Sequence, residues 1–192
     1  FVEAGHLLGS AMVHLTWDDD RAITFTGDLG RPGAPILRDP APIPAADLII
    51  CESTYGARTH PEVGLLGRDL GEIVNRTAAR GGKVLIPAFS LGRTQTVVYY
   101  LHQLMDAGEI PSLPVYVDSP LAAATTEVFR IHTECFDEET SLLLYRNADL
   151  FGERHVQYTR SVEETQAINS RPEPCVIISA TGSGETGKIS HP

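Results

Sequence analysis

The sequence predicts an α/β protein: a strand-rich first part followed by a mostly parallel sheet. Three observations carry that expectation. Residues 11–17 and 21–26 are β-prone, partly alternating runs separated by the turn formers Asp18, Asp19 and Asp20. After Gly56, apolar residues at helical spacing alternate with short apolar runs, the pattern of strands joined by crossover helices and covered on both faces. And 42% hydrophobic residues in a chain of 192 are enough to bury a core in one or two small domains.

Taken in order, the two β-prone runs read as a hairpin. Pro32, Pro35, Pro40, Pro42 and Pro44 then exclude a helix interior or a central strand, so this stretch is an extended surface connection. Asp47 to Cys51 reads as a short apolar strand that delivers Glu52 at its carboxyl end. Leu66, Leu70, Ile73 and Val74 mark a first helix closed by Gly81-Gly82, and Lys83 to Phe89 reads as a buried strand. Val97, Val98, Leu101, Leu104 and Met105 mark a second helix ending near Gly108, and Pro114 to Val117 a second strand. Leu121 to Cys135 and Asp137 to Leu150 read as helices, and Cys175 to Ala180 as a last strand. The change of character places a domain boundary near residue 58, giving 1–58 and 59–192.

Twenty-five acidic against fifteen basic residues give a net charge of −10, which disfavours coating of nucleic acid or anionic membrane by bulk charge. A local basic groove is still compatible with it. Lys83 and Lys188 are the two lysines, so cationic contacts fall to guanidinium groups suited to carboxylate or phosphate. No apolar run reaches the length of a membrane span and the first residues have no signal-peptide character, so a soluble, cytoplasmic protein is expected. The three cysteines, Cys51, Cys135 and Cys175, are far apart and form no CxxC pair. They read as buried free thiols rather than disulfides or thiolate metal ligands.

Metal-ligating types stand at three loop or strand ends, each in a segment that contains glycine: His6 in Gly-His-Leu-Leu-Gly-Ser, Asp28 in Thr-Gly-Asp-Leu-Gly, and Glu52 in Cys-Glu-Ser-Thr-Tyr-Gly. Glycine lets the backbone turn sharply and come close to a bound group. Ser90-Leu91-Gly92-Arg93 lies between a strand and a helix, where backbone amides and Arg93 suit a phosphate; Ser90 serves equally well as a helix cap. Ser119 has a similar position at the end of the next strand.

Together and in this order, these segments, with Ile86-Pro87-Ala88-Phe89-Ser90-Leu91-Gly92-Arg93-Thr94-Gln95, Asp118-Ser119-Pro120-Leu121 and the closing glycine-rich turn, resemble the β-CASP branch of the metallo-β-lactamase fold. These are RNA-processing nucleases. The resemblance implies that 1–58 is the C-terminal part of a metallo-β-lactamase αββα half-domain and 59–192 most of a β-CASP cap, an internal fragment of a longer enzyme. It implies that His6 and Asp28 are metal ligands, Asp28 bridging two zinc ions, and that Glu52 is the acidic residue that orients a catalytic histidine. Ser90, Arg93 and Ser119 would contact the substrate, single-stranded RNA, cut in endo- or exonuclease mode. The HxHxDH motif of the family is absent from this sequence. With two of about seven ligands, the fragment alone is expected to be inactive, since zinc takes at least three protein ligands. A homodimer is left open.

Two rival functions follow from the same residues. One is a non-catalytic RNA-binding or scaffold relative with a degenerate metal site. The other is a P-loop nucleotide-binding domain, because Gly182 to Lys188 fits GxxxxGK after a strand. Ile189, where magnesium needs a hydroxyl, and Glu185, inside the phosphate cradle, argue against the second.

Overall fold

The protein is described from a computed structural model covering residues 1–17, 21–146, 149–152, 154–159 and 161–180. It forms two compact units. The first comprises Phe1–Val63 with His132–Tyr145, the second Gly64–Ile131 with Arg146–Pro192.

The first unit is built on a four-stranded sheet of β1 (Val2–Glu3), β2 (Ala11–Trp17), β3 (Arg21–Phe25) and β4 (Leu48–Ile50), adjacent in that order. The hairpin reading holds: β2 and β3 are antiparallel, with Val13 opposite Phe25 and Leu15 opposite Ile23. β1 is antiparallel to β2, and β4 lies parallel to β3 with Ile23 opposite Leu48 and Phe25 opposite Ile50. Because paired residues share a face, Met12, Ala22 and Thr24 make the buried side, all under 9% exposed. The opposite side is apolar and open, with Leu15, Trp17, Phe25, Leu48 and Ile50 all exposed.

The proline-rich connection has no helix, as its composition requires, but it is neither uniformly extended nor confined to the surface: it turns at Pro32–Gly33, where Ala34 N–H donates to the Arg31 carbonyl at 3.2 Å, and it is anchored. Ile36 is fully buried, yet has a φ of +80°, a conformation β-branched residues rarely adopt. Leu37 and Phe136 form an antiparallel bridge, flanked by Arg38 N–H to the Cys135 carbonyl at 3.2 Å and Asp137 N–H to the Ile36 carbonyl at 2.9 Å. These bonds bind the short 3-10 turn Thr133–Cys135 and helix α4 (Glu138–Tyr145) into the first unit.

The second unit is a fully parallel sheet in the order β5-β8-β6-β7, made of β5 (Val84–Ala88), β6 (Val115–Asp118), β7 (Val156–Tyr158) and β8 (Val176–Ala180). Every residue of β6 is buried, as are Val176 to Ser179 of β8, so the central strands are covered on both faces. Helices α1 (Leu65–Ala79), α2 (Arg93–Asp106), α3 (Pro120–Ile131) and α5 (Val162–Asn169) complete the unit. Helices α1 and α2 meet where α1 carries Gly67: a Cβ there would sit 3.2 Å from the Tyr100 ring. Ser161 caps α5, its hydroxyl accepting from Glu164 N–H at 3.2 Å.

Four further expectations need correction. β5 lies at a sheet edge, not in the interior, with Leu85 58% exposed; Pro87 is tolerated there because an edge strand has one unpaired side. Helix α3 ends at Ile131 and not at Cys135, because the following residues are captured by the Leu37 bridge. α4 ends at Tyr145. Of the cysteines Cys175 alone is buried; Cys51 is exposed because β4 has no cover, and Cys135 is intermediate.

Candidate functional site

Strand direction brings His6, Asp28 and Glu52 to one edge. β1 and β3 both run antiparallel to β2, and β4 runs parallel to β3, so the carboxyl ends of β1, β3 and β4 point the same way. His6 follows the end of β1 by three residues, Asp28 follows β3 by three, and Glu52 follows β4 by two. The three loops therefore leave the sheet side by side. His6 Nε2 lies 4.0 Å from Asp28 Oδ2, and Glu52 Oε1 accepts the N–H of Leu29, next to Asp28, at 2.8 Å.

Glycines make this approach sterically possible. Gly30 packs so tightly on the first loop that a Cβ would fall 1.8 Å from the Gly5 carbonyl oxygen and 2.7 Å from the His6 nitrogen, and its N–H donates to the Ala4 carbonyl at 2.8 Å. Gly5 has φ +61° and abuts Arg38 and Pro40 on its other side. Two hydroxyls that sequence reasoning missed fix the loops further. Ser10 Oγ accepts the N–H groups of His6 and Leu7 at 3.0 and 3.1 Å, a local side-chain-to-backbone turn that the spacing Ser10 after His6 could have signalled. Thr26 Oγ1 accepts Glu52 N–H at 3.2 Å while donating to the Gly27 carbonyl; no sequence signal marks it.

The electrostatics distinguish the three side chains. The Leu29 amide first, then the Thr54 hydroxyl and, more weakly, the His6 ring hold the Glu52 carboxyl below its ordinary range. Glu52 is therefore an ionised carboxylate already committed to donors of the protein. His6 and Asp28 instead keep their tips in solvent, with side chains 41% and 75% exposed. Imidazole nitrogen and carboxylate oxygen are donors that zinc accepts, so the residues fit a metal as partial ligands. Among the described residues no group of three or more His, Cys, Asp or Glu side chains could hold an ion.

A second polar cluster lies in the second unit, at the carboxyl ends of β5 and β6. Ser90 Oγ and Ser119 Oγ are 3.0 Å apart, and Ser119 Oγ also accepts the Ala122 N–H at 3.1 Å, which makes it the cap of α3. Ser90 does not cap α2 through its side chain; Gly92 precedes that helix with no side-chain cap. Gln95, 1% exposed, donates from Nε2 to the Ser90 carbonyl and to the hydroxyls of Thr125 and Thr126. Arg93 stands over the Phe89 ring, 5.6 Å from its centroid.

The other histidines are structural in their contacts. His14 bonds Thr24, His60 packs edge-on against Tyr55, His132 pairs with Glu134, and His155 meets Ser112. His102 reaches Asp106 one helical turn on. The P-loop-like segment Gly182 to Lys188 lies outside the described residues. Among those described, no helix is long and apolar enough to cross a membrane.

Residues 94–192 match the Beta-Casp domain. Over 191 residues the chain is 34% identical to a ribonuclease of Thermus thermophilus, covering 100% of this chain and 44% of that protein. It is 31% identical over 192 residues to an RNase J-like protein of Methanocaldococcus jannaschii, covering 98% of this chain and 44% of that protein. It is also 31% identical over 187 residues to an endoribonuclease of Mycosarcoma maydis, at 96% of this chain and 21% of that protein. The chain thus spans less than half the length of these relatives. A matched domain over just over half of its residues, and nuclease relatives aligned along nearly all of it, agree with the parallel-sheet unit and the loop edge described above: the chain belongs to the β-CASP family of metallo-β-lactamase-fold nucleases.

Proposed function

We propose that this chain supplies one edge of the active site of a zinc-dependent β-CASP ribonuclease that hydrolyses phosphodiester bonds of single-stranded RNA. The observation that carries the reading is the convergence of His6, Asp28 and Glu52 on one sheet edge in a chain of this family. His6 and Asp28 would hold metal through Nε2 and the carboxylate. A bound zinc pair supplies Lewis acidity toward the phosphate and a water activated near neutral pH. Glu52, ionised and fixed by the Leu29 amide, suits holding an imidazole in one orientation as a proton moves to the departing oxygen. Ser90, Ser119 and Arg93 would contact the RNA backbone, hydroxyl and guanidinium donors both being suited to phosphate oxygens.

Two ligands fall short of the three that zinc takes, so residues 1–192 by themselves are proposed not to cleave RNA, the remaining ligands coming from further chain. The test is cleavage of a labelled single-stranded oligoribonucleotide by the intact protein, with bound metal measured on the same preparation. Metal-dependent cleavage lost in Asp28→Asn supports the reading. Stoichiometric metal with no cleavage of any RNA, or cleavage indifferent to metal and to Asp28→Asn, refutes it.

A further inference from the structure

We propose that Phe89 is a stacking platform for one nucleobase of a single-stranded RNA, with Arg93 beside it meeting the phosphate of the same nucleotide. The inference rests on the nuclease reading above and assigns a role to a ring which that reading leaves unused. Phe89 follows β5 and is 55% exposed. Arg93 stands over the ring, the rest of the side chain is open, and the turn beneath it is fixed from the inside. The Phe89 carbonyl accepts from Thr94 N–H at 3.3 Å and from Thr94 Oγ1 at 2.8 Å. The next carbonyl, of Ser90, accepts from Gln95 Nε2 at 3.1 Å and Thr125 Oγ1 at 2.9 Å. Thr94 and Gln95 are themselves 2% and 1% exposed, so buried groups tie both carbonyls down and turn the ring outward on a rigid mount.

A large apolar ring held out in this way has an unfavourable solvation that a partner would relieve. The chemistry of that partner follows from Arg93, whose guanidinium carbon is 5.6 Å from the ring centroid. Among the described residues Arg93 has no carboxylate within ion-pair distance, in a chain with an excess of ten acidic charges. An aromatic face beside a guanidinium that none of the described carboxylates neutralises is the pairing that takes a stacked base with its attached phosphate: every base has a π-face, and the cation meets the backbone charge. Leu91, 37% exposed in the same turn, extends the apolar surface. The subsite is accordingly tolerant of base identity.

The test is equilibrium binding of a fluorescently labelled oligouridylate to the intact protein, wild type against Phe89→Ala, Phe89→Trp and Arg93→Ala, over a series of salt concentrations. Phe89→Ala should weaken binding about five- to a hundredfold with the salt slope unchanged, and Phe89→Trp should restore it. Arg93→Ala should weaken binding and reduce the slope of log K against log salt by about 0.7. Wild-type binding matched by Phe89→Ala overturns the platform and leaves the nuclease reading intact. A wild type that binds no RNA overturns both. Phe89→Ala that binds normally but sediments as a smaller species assigns the ring to a protein contact and likewise overturns the proposal. Because Phe89 is exposed, its variants should melt with the wild type.

Discussion

A methyl group at Gly30 has nowhere to go. The Gly5 carbonyl oxygen would lie 1.8 Å away, and that carbonyl cannot retreat, since Gly5 is backed by Arg38 and Pro40. Gly30→Ala should therefore cost roughly 3 kcal/mol, at the upper end of overpacking effects, and push the His6 loop off Asp28. Urea denaturation and metal content of the intact protein check it; a variant as stable and as metal-loaded as wild type would contradict the packing argument. Glu52→Gln tests a different property. The amide oxygen can still accept from Leu29, so the loop should hold while the charge is lost. Turnover should fall on the order of 10- to 100-fold with KM little changed, and unaltered turnover would remove Glu52 from the chemistry. The placement of His6, Asp28 and Glu52 at strand ends was legible because each is a chemically distinctive residue just after a β-prone run, His6 and Asp28 directly after a glycine. Ser10, Thr26 and the Leu29 amide were not, because their role depends on which loops the strand directions bring together, and a hydroxyl or an amide advertises nothing on its own.

Among the elements, β7 and α3 are joined through Tyr158, whose hydroxyl donates to Thr126 Oγ1 at 3.3 Å. Burial, the largest influence, raises the Tyr158 pKa above its ordinary 10.0. The unfolded chain therefore releases this proton first. The contribution is intact below pH 10 and is lost as pH climbs from there through the folded value. Tyr158→Phe should lower stability by about 1 kcal/mol at pH 7, and the gap to wild type should narrow as the pH rises above 10. Denaturation curves from pH 7 to 11 measure this, and a constant gap would mean the phenol titrates alike in both states. The long helices α1 and α2 were readable because apolar residues recur at helical spacing over several turns, although the buried face of α1 is Gly67, Gly71, Val74 and Thr77 while Leu66 and Ile73 are exposed. β7, three residues long, and α5 carry too few residues for a period to emerge. α3 was read four residues too long, since nothing local warns that Phe136 pairs with Leu37, ninety-nine positions earlier in the chain.

For the whole molecule, the sheet of the first unit has one buried face and one bare face. Leu15, Trp17, Phe25, Leu48 and Ile50 lie together on the bare one, a contiguous apolar surface of the kind that drives association. Residues 1–192 produced alone should self-associate despite their net charge of −10. Leu48→Lys should shift sedimentation toward the monomer while changing stability by no more than about 0.5 kcal/mol. Equal association of the two chains would show that this face is not responsible. The fold class was legible because alternation of helices and short apolar runs is a property of the whole chain. The bare face was not: apolar residues along β2 to β4 announce burial, yet Leu15, Trp17, Phe25, Leu48 and Ile50 stand exposed.

The division of the chain has a last consequence. His132–Tyr145 is interpolated among residues of the second unit yet belongs to the first, so neither unit is a continuous length of polypeptide. A protease cutting in the 58–64 stretch would leave an N-terminal piece deprived of Phe136 and its neighbours, with the hydrophobic seat around Ile36 open to water. Neither unit can be exchanged between proteins as a cassette by a single recombination event, and the pair is expected to be inherited together.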